Sequence, residues 1–231
     1  RNTIRNTRRN TRRNTRRNTR RNTKVTKTTI LTTIPNLVAN AVNNFHNREA
    51  VVDGDLRWTF EEYADQINGA TKAFISKGIQ PGDRIAVWAP NTARWPVAAL
   101  GAHCAGAVLV PINTRFKGEE AGYILSRTST KILFTVTDFL DTNYVDLLGD
   151  SINQLDLEEI VVLKGSTPSN CTNWEDFINS GVSISELERD ARSKQVAYND
   201  LCHILFTSGT TGKPKGAILE HDAVCLSLIH I

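Results

Sequence analysis

Methionine is absent from the 231 residues, even at position 1, so the chain is expected not to begin at a translation start. No run of 18 apolar residues occurs, which leaves no segment able to cross a bilayer as a helix. The longest apolar stretch, Pro96 to Pro111, is interrupted by His103 and bounded by prolines, as suits a buried helix followed by a strand. Cysteine is sparse. Cys104, Cys171, Cys202 and Cys225 stand 67, 31 and 23 residues apart, with no CxxC pair and no histidine at finger spacing. That spacing argues against a zinc-finger module and against a disulfide framework. No apolar region of signal type lies near residue 1, so a reducing, cytoplasmic location is expected, extended at most by peripheral contact with a membrane.

Acidic residues are missing from one segment in particular. Residues 1–23 hold ten arginines and no acid; without them 18 basic side chains face 24 acidic ones, a balance of −6. The net charge of +4 therefore belongs to the tail, and the body is mildly acidic. A nucleic-acid function cannot be argued from overall charge. The first 24 residues are six copies of a four-residue Arg-Asn-Thr unit. As a helix this segment would stack Arg1, Arg5, Arg9, Arg13, Arg17 and Arg21 in one row of like charges, and it has no apolar face to bury. Residues 1–28 are expected to be a disordered tail. Its readings are an electrostatic nucleic-acid arm, a polybasic membrane-surface segment, a transit peptide lacking the usual apolar face, or a translated simple repeat without a role. The apolar run from Ala223 to Ile231 opens like a helix and carries no stop, so the chain is expected to be a fragment.

What remains, 40% apolar and 23% charged, is enough for one sizeable core. Pro35 marks a helix start, and Leu37, Val38, Ala41, Val42 and Phe45 continue it at helical spacing. Ala50 to Val52, an Asp53-Gly54-Asp55 turn and Leu56 to Thr59 read as a hairpin. Thr59 and Glu62 form a capping box before Phe60, Tyr63, Ile67, Ala70 and Phe74, and Gly78 stops that helix. Strands are expected at 84–88, 107–110, 131–135, 160–163 and 201–206. Helices are expected at 93–104, 119–128 and around 174–178, with 164–198 otherwise irregular. Strands joined by crossover helices imply an α/β fold with a mostly parallel sheet.

One loop concentrates chemistry. After the strand ending at Phe206 comes Thr207-Ser208-Gly209-Thr210-Thr211-Gly212-Lys213-Pro214-Lys215-Gly216, with four hydroxyls, three glycines and two lysines in ten residues. Glycines let backbone N–H groups turn inward as an anion nest, hydroxyls donate to phosphate or ligate Mg²⁺, and lysines add charge. The ligand expected is a polyphosphate. The loop is not a Walker A motif, since Thr207 stands where that motif needs glycine and Pro214 where it needs Ser or Thr. The alternative is a hydrophilic hairpin turn between two strands.

TSGTTGKPKG resembles the phosphate-binding signature of the adenylate-forming superfamily, and residues 59–76, 81–91 and 100–125 resemble the N-terminal half of its acyl-CoA synthetases. Across about residues 34 to 224 the wording is similar to bacterial fatty-acyl-CoA ligases, including those of lipid and sterol side-chain breakdown. The resemblance implies that residues 29–231 are an incomplete N-terminal part of the large adenylate-forming domain. It implies ATP-dependent activation of a carboxylic acid, fatty in type, as an acyl-adenylate, followed by transfer to coenzyme A. By the same resemblance Thr207, Ser208, Gly209, Thr210, Thr211 and Gly212 wrap the phosphates. Lys213 and Lys215 neutralise the departing pyrophosphate, Thr207 helps hold Mg²⁺, and His221 neighbours the acyl site. The ribose-binding aspartate and the adenylation lysine of the family are missing, so no catalytic residue is assigned and the isolated chain is expected to be inactive. The alternatives are another adenylate-forming enzyme, loading a carrier protein or acting as a luciferase does, and a truncated non-catalytic protein acting through its basic arm.

Overall fold

Periodicity and caps account for most of the elements in the computed structural model, which describes residues 32–207 and 213–229. The Arg-Asn-Thr repeat and the loop centre from Ser208 to Gly212 lie outside the described residues. Helix α1 (Ile34–Phe45) carries Pro35 in its first turn, with the Thr33 hydroxyl accepting from the Asn36 N–H. Strands β1 (Glu49–Asp53) and β2 (Leu56–Thr59) pair as a separate antiparallel hairpin. The Thr59–Glu62 capping box opens α2 (Phe60–Ser76), each partner receiving a backbone N–H of the other. Such a box satisfies two of the donors that every helix start leaves unpaired.

The main sheet takes β3 (Arg84–Trp88), β4 (Val108–Pro111), β5 (Ile132–Val136), β6 (Glu159–Lys164), β7 (Thr172–Asn173), β8 (Leu201–Thr207) and β9 (Lys215–Glu220). Their spatial order is β7-β6-β5-β3-β4-β8-β9. Every neighbouring pair is parallel except β8 and β9, which form an antiparallel hairpin. Helices α3 (Arg94–Cys104) and α4 (Gly118–Thr128) make the crossovers beside α2. Strands β3 and β5 are buried along nearly their whole length, as parallel strands covered on both faces must be. Phe74, Phe134 and Phe177 meet edge to face with ring centroids 5.0 to 5.5 Å apart. Helices α2 and α3 touch at Gly101, where a Cβ would lie 2.6 Å from that of Ala70, so only glycine allows this approach.

The fold is α/β with a mostly parallel sheet, as expected. Two differences stand out. The segment 164–198 is not irregular, because α6 (Trp174–Ser180) is followed by α7 (Glu186–Gln195). Helix α7 buries none of its residues and has no apolar stripe to betray it. Instead Arg192 donates to the Ile79 carbonyl at 2.7 Å and Ser193 to that of Cys104 at 2.9 Å. A short helix, α5 (Tyr144–Leu148), also forms before a 3₁₀ turn over 149–154. Its start is capped by Asn143, and Tyr144 packs tilted against Trp88 with ring centroids 4.5 Å apart.

Candidate nucleotide site and a buried histidine cluster

Sheet topology makes the crevice. The connection leaving β4 returns toward β5, whereas the one leaving β8 runs outward to β9. Diverging connections at the carboxyl ends of parallel strands leave a gap in which ligands bind. An open cleft of about 480 Å³ lies there, lined by Pro90, Asn91, Trp95, Asn113, Leu205 and Phe206 among others. Trp88 stands under it, its indole N–H donating to the Asn113 carbonyl at 3.2 Å.

The loop expected to carry phosphate chemistry springs from this edge. Thr207 ends β8 and Lys215 begins β9, and the two sit directly opposite in the antiparallel register. Both are exposed. One pair deeper, Phe206 faces Gly216, where a Cβ would come within 3.2 Å of the Phe206 ring. The hairpin reading and the phosphate-loop reading thus describe the same segment. A hydroxyl and an ammonium, both open to solvent at the carboxyl end of β8, are a donor set that suits a polyphosphate and its hard cation. Lys213 lies apart from Lys215, with its Nζ 5.0 Å from the centre of the Tyr123 ring on α4, a cation–π distance. Ser208, Gly209, Thr210, Thr211 and Gly212, expected to wrap the phosphates, lie outside the described residues.

His221 follows the end of β9 remote from that loop. It opens α8 (His221–Ile229), is 1% exposed, and accepts the Ile34 N–H on Nδ1 at 3.3 Å. Its ring faces His103 of α3 with centroids 5.5 Å apart. The Nε2 of His103 is 3.0 Å from that of His203 on β8, and the Cys202 sulfur is 3.8 Å from His103 Nδ1. Burial pulls His221 down to about 4, lowers His203, and holds His103 well below the usual histidine range, helped by its two neighbouring imidazoles. Burial thus disfavours the charged form of all three rings. Burial also raises the Cys202 thiol to about 12. Sequence spacing gives no sign of this cluster, since His103 and Cys202 are 99 residues apart and meet only because β8 pairs beside β4. Cys202 and Cys104 are buried, as core cysteines should be.

Comparison with known proteins agrees with the geometry. The family model for the AMP-binding enzyme matches residues 38–231. A 3-[(3aS,4S,7aS)-7a-methyl-1,5-dioxo-octahydro-1H-inden-4-yl]propanoyl:CoA ligase of Rhodococcus jostii is 40% identical over 181 residues, covering 77% of this chain and 35% of the relative. The ligase of the same name from Mycobacterium tuberculosis is 38% identical, covering 74% and 33%. Among solved structures, an anthranilate CoA ligase in complex with anthranoyl-AMP superposes with a TM-score of 0.71 at 24% identity, over 83% of this chain and 35% of that one; this likeness bears on the fold. The chain spans about a third of the length of the curated relatives it matches. Among the described residues no helix is long and apolar enough to cross a membrane. With the family model covering most of its length and these relatives beside it, the chain belongs to the AMP-binding enzyme family, with acyl-CoA ligases as its homologues.

Proposed function

We propose that the protein to which this sequence belongs activates a carboxylic acid, fatty in type, with ATP and passes the acyl group to coenzyme A. The observation that carries this reading is the β8–β9 hairpin, whose Thr207 and Lys215 stand opposite each other at the carboxyl end of the parallel sheet in a chain of this family. The curated relatives at 38–40% identity, both propanoyl:CoA ligases acting on a bulky bicyclic acid, support a thioester-forming reaction on a carboxylic acid. In this reading Thr207, Ser208, Gly209, Thr210, Thr211 and Gly212 present hydroxyl and backbone donors to the phosphates. Lys213 leaves Tyr123 and joins Lys215 in neutralising the departing pyrophosphate. Fixed donors aimed where negative charge develops lower the barrier without having to reorganise. When bound, Mg²⁺ shares that charge, and the Thr207 hydroxyl supplies one hard oxygen ligand toward it.

The test is acid-dependent exchange of pyrophosphate into ATP by the intact protein, followed by mass spectrometry of the thioester made from coenzyme A. Exchange with fatty acids and formation of acyl-CoA are expected. Exchange with no thioester on coenzyme A, but with acylation of a carrier protein, would move the protein to another branch of the family. No exchange with any carboxylic acid would end the reading. The 231-residue chain by itself, about a third of a relative's length, is expected to show no exchange.

A further inference from the structure

Phosphate binding leaves the buried cluster of His103, Cys202, His203 and His221 unused. One donor atom from each of His103, Cys202 and His221 lies within 4.8 Å of the others, and all three residues are buried. Around a zinc ion, nitrogen at about 2.0 Å and sulfur at about 2.3 Å in tetrahedral array stand about 3.3 to 3.6 Å apart. Small side-chain rotations separate the observed spacing from that one. The local backbone favours the arrangement too. The β8–β9 register is irregular between Leu201 and His203, and a bulge can turn consecutive side chains toward one face. Cys202 and His203 accordingly both reach His103, at 3.8 and 3.0 Å.

A second observation points to a ligand. Among the described residues, the His221 Nε2 is a buried side-chain nitrogen with no hydrogen-bond partner. Such an orphan in a native core asks for a water or an ion. The neighbouring donors are two further imidazoles and a thiol, with no carboxylate among the three ligands, a set that favours zinc over magnesium or calcium.

We propose that His103, Cys202 and His221 bind one Zn²⁺, with water in the fourth position and His203 holding His103 from behind. The Cys202 sulfur lies 3.8 Å from His103 Nδ1 and 3.9 Å from Nε2; with Nε2–H donating to His203, Nδ1 is the nitrogen His103 would use, and such an outer partner fixes the ring and the tautomer. His221 would use Nε2, its proton moving to Nδ1 at the expense of the long Ile34 contact. The Cys202 thiol proton leaves to solvent as the zinc–sulfur bond forms. His203, which is only half-buried, marks the route by which metal and proton exchange with water. The metal would act as a clip. Strand β8 meets β4 at a single register pair, Leu109 with His203, and a bond from α3 to β8 and α8 closes loops of about a hundred residues, where cross-links have most chain entropy to remove.

The experiment is titration of the full 231-residue chain with Co²⁺ and Zn²⁺. Expected are one metal per chain by elemental analysis, a near-ultraviolet thiolate-to-cobalt charge-transfer band, and release of about one proton per zinc at neutral pH. Cys202→Ser should remove the band and weaken binding by more than about tenfold, and His203→Gln should weaken it by about tenfold, the scale on which outer partners act. Cys171→Ser, a half-buried cysteine outside the cluster, should change nothing. The wild-type spectrum decides even if a variant fails to fold. Substoichiometric metal, or stoichiometric metal without a thiolate band, overturns the site, the former leaving a buried water as the partner of His221. A band that survives Cys202→Ser overturns it as well.

Discussion

The two halves of the sheet are built differently. On one side β3, β5 and β6 are joined by four or more register positions at each pairing and bury almost every side chain. On the other, β8 joins β4 at one register position, and β9 exposes all its residues but Leu219, with Ile218 61% exposed. The first half is a packed scaffold. The second is a more exposed hairpin that bears the chemistry-rich loop at its tip. Binding segments tend to be drawn from the less stable parts of a fold, since they must move to bind and release. Here the division runs between neighbouring strands of one sheet.

Substitutions should separate the halves by what they change. Phe134→Ala, deleting the ring between Phe74 and Phe177, is expected to cost about 3–5 kcal/mol in urea unfolding; a loss below about 1 kcal/mol would mean that the scaffold is not the packed half. Lys215→Ala in the intact protein should slow acid-dependent pyrophosphate exchange by about 10²-fold and leave the unfolding midpoint unmoved, and Thr211→Ala should do the same. Unaltered kinetics would place the phosphate site elsewhere. Thr59→Ala removes one arm of the capping box on α2 and should cost about 1 kcal/mol, which thermal unfolding can resolve. The smallest effect belongs to Glu186 of α7, whose carboxyl is held below the usual range by hydrogen bonding to Lys72 and by Arg189. Its contribution is present above the ordinary carboxylate range and lost as pH falls through the lowered value. Being exposed, Glu186→Gln should change stability at pH 7 by less than about 0.5 kcal/mol, whereas Arg192→Ala, which breaks the bond to the Ile79 carbonyl, should loosen α7 measurably by amide exchange.

Elements with a local signal are legible in the chain's own order of residues. Pro35, the Thr59–Glu62 pair and the apolar spacing of α2 mark their helices, and apolar runs bounded by turn residues mark β3, β5 and β6. Helix α7 has no apolar stripe, so hydrophobic periodicity passes over it, and its local signals are of another kind: a Ser185 cap accepting from the Glu188 N–H, acids in the first turn and bases in the last; its bonds to the Ile79 and Cys104 carbonyls belong to the tertiary structure. The same holds within the site. Thr207, Lys213 and Lys215 stand out by their density in ten residues, yet nothing in that spacing says that Lys213 rests on Tyr123. Trp88 and Trp174 are core residues, with Trp174 also bordering the cleft that Trp58 lines, and Trp58 and Trp95 pack partly buried against the core.

By itself the sequence determined the fold class, the positions of the crossover helices and the loop whose residue types suit phosphate. Period, caps and glycine content act over a few residues and can be read in line. Only the tertiary structure decided that β8 lies beside β4, and that decision sets the crevice at the sheet's carboxyl edge. It also brings His103 to Cys202, His203 and His221. Such meetings depend on which strand order buries most apolar surface, a property of the whole chain that no local window contains.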